Sequence, residues 1–540
     1  MGKANVWKFF ELSESDGKKK TKCQLCKASL SYSGGTSTMR NHLKHVHKKV
    51  VNLEDGPESS RQTTLFQFHA KKKIMGIDKQ NVINRALALV CALDLRPIGM
   101  VEGRGFKNFV KKLNPDYHIP CRTSITKHLN MLYNECKAEV IEYISGLDIS
   151  LTTDLWTSIG TVSYLTLTSH YIKNWKLHAQ LIATRPLANK HTGINIAQMI
   201  LGLKEEFKVQ KISCLVTDNA ANMLVAAREG NLLHWSCYSH TLQLAIEDGL
   251  KIASITKALA HARKLVAHFS HSTTSVEALK KYQVQNGVKQ PLLLIQDVQT
   301  RWNSQYLMVV RLLKLRLPIF SVLMDTTVTK TSDRAILDLP DASWTVLENL
   351  VPILEPLAEA TELLTAESSP TLSQVYIILR QLLTTLRALD DDSPTARDLK
   401  AKITAGLRKR FQIADDGTPN EKAITSPPMV ATFLDPRYKA LKFLSDENKT
   451  KLREHVEELA EALSAEEAVK PPPASTAIKQ EPSESEPPPC RAALFDCFIG
   501  DIEIDLTVAN STCVAEVTAY LAEPVRIAEP LLWWKANENR

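Results

Sequence analysis

The chain has 540 residues, 44% of them apolar and 23% charged, which excludes a wholly disordered chain or a fibre and, at about 150 residues per domain, asks for three or four domains. The net charge of +8 sits in residues 1–50, where eleven Lys and Arg face three Asp and Glu, so that residues 51–540 balance at 56 against 56. No apolar run approaches the ~18 residues needed to cross a bilayer, residues 1–12 lack a secretory signal, and ten Cys with one Cys-x-x-Cys pair read as reduced thiols plus a metal site, so a soluble, non-secreted protein is expected.

Cys23-x-x-Cys26, fifteen residues, then His42-x4-His47 has the spacing of a tetrahedral Cys2His2 zinc site. "TKCQLCKASLSYSGGTSTMRNHLKHVH" predicts a hairpin carrying the two thiolates and a helix carrying the two imidazoles. A module this small cannot fold on apolar burial alone, so zinc contributes folding free energy. His45 is the rival to His47, and His47 is expected to be the ligand. At ~100° per residue the zinc-facing side is shared with Met39, Leu43 and Val46. The opposite side carries Ser37, Asn41, Lys44 and Lys48, flanked by Arg40 and His45. Asn pairs with adenine, Arg with guanine, and Lys with phosphate or guanine, which suits double-stranded DNA; the competing reading is ordinary solvent-facing side chains. A solvated lysine-rich tail is the matching alternative for the charge. Trp7, Phe9 and Phe10 are expected to pack on the small zinc core rather than stack on bases.

Residues 51–75 lack periodicity and read as a linker. Ile83, Leu87, Val90 and Cys91 then mark an amphipathic helix. A longer one carries Ile125, Leu129, Leu132, Cys136, Val140 and Ile144, with Thr123 or Ser124 as its cap, and "GRGFKNFVKKLNP" between them predicts a short basic helix. The period changes near residue 148. "DISLTTDLW", "SYLTLTSHYI" and "LHAQLIATRPL" predict strands, "TGINIAQMILGLKEEF" a helix and "KISCLVTD" another strand, so a mixed sheet covered by helices is expected. Helices follow over about 239–250 and 254–269, with a fifth strand at "LLLIQDV". From Trp302 to about Ala465 nearly everything is helical, broken at Pro318, at Pro370, at "DDDSP" and at "SPPMVATFLDPRYK". Residues 466–492 are Pro/Glu/Ser-rich and expected to be disordered; a last segment ends in "EPLLWWKANENR".

The aromatic "VWKFF" ahead of the Cys pair, with Cys-x-x-Cys and His-x4-His, resembles a BED-type zinc finger. The rest resembles the transposase body of the hAT superfamily, as carried by domesticated zinc-finger BED-domain-containing proteins of vertebrates. The matching stretches are "DLRPIGMVEGRGFKNFVKKLNPDYHIP", "LTTDLWTS", "VTDNAANM", "CYSHTLQL", "LIQDVQTRWNSQY", "SSPTLSQV", "ATFLDPRYK" and "EPLLWWKANE". The resemblance implies a multidomain α+β chain. A small ββα zinc finger would occupy residues 1–50, a linker 51–75, a helical domain 76–147 and an RNase H-like mixed sheet 148–301. A large all-α insertion would interrupt that core over 302–465, followed by a disordered linker 466–492 and a C-terminally truncated hAT dimerisation region 493–540. It also implies a nuclear, DNA-binding and usually self-associating protein.

Strand transfer in that superfamily uses three carboxylates around two divalent metals. Asp154 in "TTDLWTS" and Asp218 in "VTDNAANM" match the first two; the third, a Glu in a "SERVFS"-like segment after the "WW", has no counterpart, and Glu516, Glu523 and Glu529 precede the "WW". A vestigial, inert core is therefore expected, with no enzyme activity. The local alternatives are helix capping by Asp218 and a turn hydrogen bond for Asp154. Cys237 and His240 are expected to pack rather than bind metal. The resemblance gives Arg301 and Trp302 a role in stacking on an unpaired base, against burial as an equal alternative. Lys479 in "IKQE" resembles a SUMO acceptor. The reading is a zinc-dependent, sequence-specific transcription regulator, pairing with a second copy less firmly than longer relatives; an active metal-dependent transposase and a SUMO-linked adaptor are the alternatives.

Overall fold

The computed structural model describes residues 5–15, 18–47, 75–188, 190–366, 369–469, 512–526 and 528–538. The chain divides into two compact units, residues 1–131 and 132–540.

In the first unit a short 3-10 turn (Asn5–Phe9) leads into β1 (Phe10–Ser15), β2 (Lys18–Cys23) and β3 (Ser29–Ser31), an antiparallel sheet in the order β1-β2-β3, and then α1 (Ser37–Val46). The hairpin-plus-helix expected from the sequence is thus present, with a third strand. Further along lie α2 (Ile77–Leu93), α3 (Arg104–Leu113) and α4 (Arg122–Ile144), the last crossing into the second unit. α2 buries Asn84, Leu87, Ala88 and Cys91. Val90 is 41% exposed, because it lies one residue, about 100°, off that stripe. The stripe includes a polar residue because Asn84 accepts a hydrogen bond from the Tyr117 hydroxyl at 2.9 Å; burial pushes that phenol up to about 12. α4 begins at Arg122, so Thr123 and Ser124 sit inside its first turn rather than capping it, and Cys136 is exposed.

The second unit opens on a sheet of β4 (Asp148–Thr157), β5 (Ser163–Lys173), β6 (Lys176–Pro186), β7 (Lys211–Thr217) and β8 (His234–Ser236), with α5 (Gly193–Glu206) and α6 (Ala221–Glu229) between strands. The order is β6-β5-β4-β7-β8. β4, β5 and β6 run antiparallel, whereas β7 joins β4, and β8 joins β7, in parallel. This is the mixed sheet the sequence predicts. Alternate residues of β4, Ile149 and Leu151, point into a core with Leu165, Leu167 and Leu215, closed by Ile196 and Ile200 of α5 and Met223 of α6. The fifth strand is β8, not "LLLIQDV". Residues 292–298 have no regular structure; their polar backbone is held instead by the Gln283 side chain, which accepts from the Leu292 amide and donates to its carbonyl. Asp297 there is buried against Arg263 at 2.7 Å.

Helices make up the remainder: α7 (Tyr238–Leu250), α8 (Ala253–His271), α9 (Thr273–Gln285), α10 (Trp302–Lys314), α11 (Arg316–Met324), α12 (Thr331–Leu337), α13 (Asp341–Leu364), α14 (Val375–Thr385), α15 (Pro394–Phe411), α16 (Glu421–Ile424), α17 (Pro427–Leu434), α18 (Asp446–Val469), α19 (Thr512–Ala522) and α20 (Pro530–Ala536). One apolar core runs from Leu242 of α7 to Tyr520 of α19, so the helical body starts at α7 rather than at 302. α7 and α15 approach closely because each offers a glycine: a Cβ at Gly249 would lie 2.7 Å from Ile403, and one at Gly406 3.1 Å from Ala245. Pro318 breaks the helical run as expected: it has no N–H to give the Lys314 carbonyl, so α10 stops at Lys314 and α11 restarts with Pro318 in its first turn. α18 extends to Val469, four residues beyond the helical end expected at 465.

The "LDPRYK" turn after α17 anchors the last two helices. Lys439, buried, donates to the Tyr520 carbonyl at 2.6 Å; the Tyr520 hydroxyl donates to the Phe433 carbonyl at 2.9 Å; and Trp534 Nε1 donates to the Leu434 carbonyl at 3.0 Å. Arg453 of α18 also donates to Thr518 of α19 at 2.8 Å. Among the described residues no helix is long and apolar enough to cross a membrane.

Candidate zinc-centred nucleic-acid interface

The small N-terminal fold has few apolar side chains. Val6, Phe10, Cys23, Met39 and Leu43 are buried, with Trp7, Phe9, Leu30 and Tyr32 half-buried around them. Trp7 packs edge-on against Tyr32 at 5.4 Å, and Phe10 against the His42 ring at 5.9 Å. The three aromatics ahead of the Cys pair therefore pack on the core, as expected.

Cys23 ends β2 and Cys26 follows on a tight turn, in which the Lys27 amide donates to the Cys23 carbonyl and the Cys23 amide to the Ala28 carbonyl, both at 2.9 Å. Lys27 itself takes a left-handed φ of 62°, a constraint the sequence did not reveal. His42 lies within α1. His47, five residues on, would point about 140° away on an unbroken helix, but α1 stops at Val46 and His47 is its C-cap, free of helical geometry. Its ring turns back to 5.1 Å from that of His42.

The ligand atoms of Cys23, Cys26, His42 and His47 all lie within 4.8 Å of one another. Cys23 Sγ is 3.5 Å from His47 Nε2, and Cys26 Sγ 3.2 Å from His42 Nε2. Tetrahedral zinc with bonds of about 2.3 Å to sulfur and about 2.0 Å to nitrogen separates a sulfur and a nitrogen by about 3.5 Å, so this donor set fits the ion in both chemistry and spacing. His45 is exposed and outside the cluster.

Ser37, Asn41 and Lys44 are exposed on the outer side of α1, and Arg40 is half-buried with its Nε enclosed and unpaired. These four sit three or four residues apart and share one stripe. Val46, expected toward the zinc, is 58% exposed instead, because the helix ends there and the core closes on Met39 and Leu43. Lys48 and Lys479 lie outside the described residues.

The transposase-like acids occupy neighbouring strands. β4 and β7 are registered Thr152 to Val216, so Asp154 and Asp218 each lie two residues further toward the same end of adjacent parallel strands, whose axes run about 4.8 Å apart. The Asp154 carboxylate accepts from the Leu155 amide at 2.8 Å and that of Asp218 from the Ala220 amide at 3.2 Å. Among the described residues no third Asp, Glu, His or Cys joins them in a metal-sized group. Cys237 and His240 likewise form no such group; Cys237 joins β7 to α7, its amide donating to the Thr217 carbonyl at 2.8 Å. Trp302 is 1% exposed at the start of α10, and Arg301 beside it is exposed. Burial leaves the Trp302 ring without a free face for a base.

Four family models match the chain. The BED zinc finger covers residues 4–48, the Hermes transposase DNA-binding domain 71–114, the ZBED1 RNase-like domain 152–233 and the ZBED1 RNase-like helical domain 235–352. Similar curated proteins include the "Putative AC transposase" of Zea mays (26% identity over 81% of this chain and 56% of the relative). Zinc finger BED domain-containing protein 6 of Homo sapiens (26%, over 72% and 41%) and Zinc finger BED domain-containing protein RICESLEEPER 3 of Oryza sativa (23%, over 99% and 75%) are others. The chain spans about half the length of the first two. The resemblance read from the motifs is thus matched over parts of residues 4–352, the zinc-cluster residues falling inside the BED match and both acids inside the RNase-like match.

Proposed function

We propose that the protein is a nuclear, zinc-dependent, sequence-reading DNA-binding regulator descended from a transposase. The observation that carries this is the four-donor cluster of Cys23, Cys26, His42 and His47 directly behind a helix whose outer stripe is polar and basic. Zinc held by those four side chains supplies the free energy that orders the module. The chain's own residues do the rest. α1 enters the major groove, Asn41 and Arg40 present amide and guanidinium donors to base edges, and Ser37, Lys44 and Lys48 bind backbone phosphates. The BED and Hermes DNA-binding matches support duplex DNA as the partner. One finger makes few base contacts, so pairing with a second copy would raise affinity. Lys479 is a candidate SUMO acceptor through which a repressor complex would be recruited.

The test is selection from a random duplex pool by the purified chain, loaded with zinc or stripped by a chelator. A motif enriched only by the zinc-loaded protein is expected; failure of the loaded protein to retain any duplex at low salt would end the proposal.

The adjacency of Asp154 and Asp218 favours a second reading, metal-dependent phosphoryl transfer. We assign it to inheritance, since two-metal chemistry requires further ligands than these two. Nicking of DNA by the purified chain with Mn²⁺, abolished by Asp154→Asn, would reverse that assignment.

A further inference from the structure

The helical body carries a pocket of about 310 Å³ between α14 and α15, closed at one end by the turn at 415–417. Its walls are basic. Arg380 and Arg387 reach it from α14 and the residues just after it; Arg397, Lys400 and Arg408 reach it from α15. Arg397, Lys400 and Arg408, spaced three and eleven residues apart, share one face of α15.

The carboxylates nearby do not neutralise this set. Lys400 alone is fully matched, its Nζ 2.7 Å from Asp392 with both side chains nearly buried. Arg408 approaches Asp415 only to 3.5 Å, and that carboxylate stands fully in solvent, where such a pair is worth little. Asp416 accepts from the Thr418 amide and hydroxyl through one oxygen, and Arg380 acts on it only from beyond ion-pair distance. Arg397 uses its Nε on the Asp392 carbonyl, and among the described residues Arg380 and Arg387 have no ion pair within 4.0 Å. The Arg408 guanidinium also donates to the Asp415 backbone carbonyl at 2.8 Å, which holds it against the turn without cancelling its charge.

We propose that this pocket binds a ligand carrying adjacent phosphate groups. The planar guanidinium matches two phosphate oxygens at once and stays charged. Four of them around one cavity offer more donors than a single carboxylate can use. At the lower end of the range of about 300–1,000 Å³ for small-ligand sites, the cavity admits the phosphate end of a ligand but not the face of a duplex. A free polyphosphate and the 5′-triphosphate end of a nucleic-acid strand share this chemistry.

The experiment is calorimetric titration of the full zinc-loaded chain with inorganic tripolyphosphate, beside one single strand bearing either a 5′-triphosphate or a 5′-hydroxyl. Saturable binding of tripolyphosphate is expected, weakened about tenfold or more by Arg387→Gln and by Arg397→Gln. Both arginines are exposed, so these variants fold, as circular dichroism checks. Cys23→Ser, which strikes the zinc cluster, leaves this binding unchanged and so separates it from recognition of duplex DNA. Tighter binding of the 5′-triphosphate strand than of free tripolyphosphate assigns the pocket to strand ends; equal or weaker binding assigns it to free polyphosphate. No saturable binding of tripolyphosphate at low ionic strength, or binding that both arginine variants leave intact, overturns the proposal.

Discussion

Stripping zinc should unfold the N-terminal module while leaving the rest of the chain folded. Its buried apolar side chains are Val6, Phe10, Met39 and Leu43. At about 1.5–3 kcal/mol each, they contribute about 6–12 kcal/mol. A structural zinc contributes about 10–16 kcal/mol at neutral pH, so its removal takes away as much as the whole apolar core provides. Hydrogen exchange read by mass spectrometry measures this directly. Amides in the second half of α1, from Asn41 to Val46, should lose at least about a thousandfold of their protection when a chelator removes the metal, because ~4 kcal/mol of local stability corresponds to that factor. Peptides from β4, β5 and β7 should not change. Zinc content measured on the same samples fixes the two end states. Retention by metal-free α1 of protection within about tenfold of the loaded value would refute the claim that these four side chains depend on a metal to hold the fold.

Three further outcomes are expected. Asn41→Ala should cost about 1–3 kcal/mol on a duplex with the preferred base and little on others, whereas Lys44→Ala should weaken all duplexes alike and lower the salt slope by about one; fluorescence anisotropy at several salt concentrations separates the two. Glu206 accepts from Lys137 at 2.8 Å and Arg185 at 3.0 Å, and the Lys137 hydrogen bond leads in holding its carboxyl below the usual range. A lowered folded value means the contribution is present above the unfolded pKa and lost as pH falls through the folded one, so Glu206→Gln should cost about 0.5–1 kcal/mol at pH 7, after allowing for solvent screening, and nothing near pH 2; urea melts across that range that ran parallel for both proteins would contradict this. Trp302→Ala should cost about 3–5 kcal/mol of stability in the second unit, read by thermal melting without DNA; unchanged stability with weakened DNA binding would restore the base-stacking role.

The zinc cluster was legible because metal ligation imposes residue types and spacings that chance seldom supplies, and the strands β4 to β7 because β-branched alternation is written locally. Other features depend on partners distant in sequence. "LLLIQDV" has strand composition, but Gln283 and Arg263 satisfy its polar groups in place of a neighbouring strand. The three-residue β8 is too short to carry a period. Val90 and Cys136 fit a helical spacing yet face solvent, since spacing alone does not say which side meets a neighbour. The arginine pocket was invisible for the same reason: its residues come from α14, the segment after it and α15, and acquire meaning only where these meet. For Trp302, motif resemblance and burial gave opposite answers, and packing decided.

The anchoring of α19 and α20 on the "LDPRYK" turn bears on residues 470–511. Val469 and Thr512 both end helices held to the same body, through Arg453 with Thr518 and Lys439 with Tyr520. α18 and α19 are therefore both fixed to one body across this stretch. A proteolytic nick within it would leave two polypeptides that still migrate together on a sizing column and separate only in denaturant.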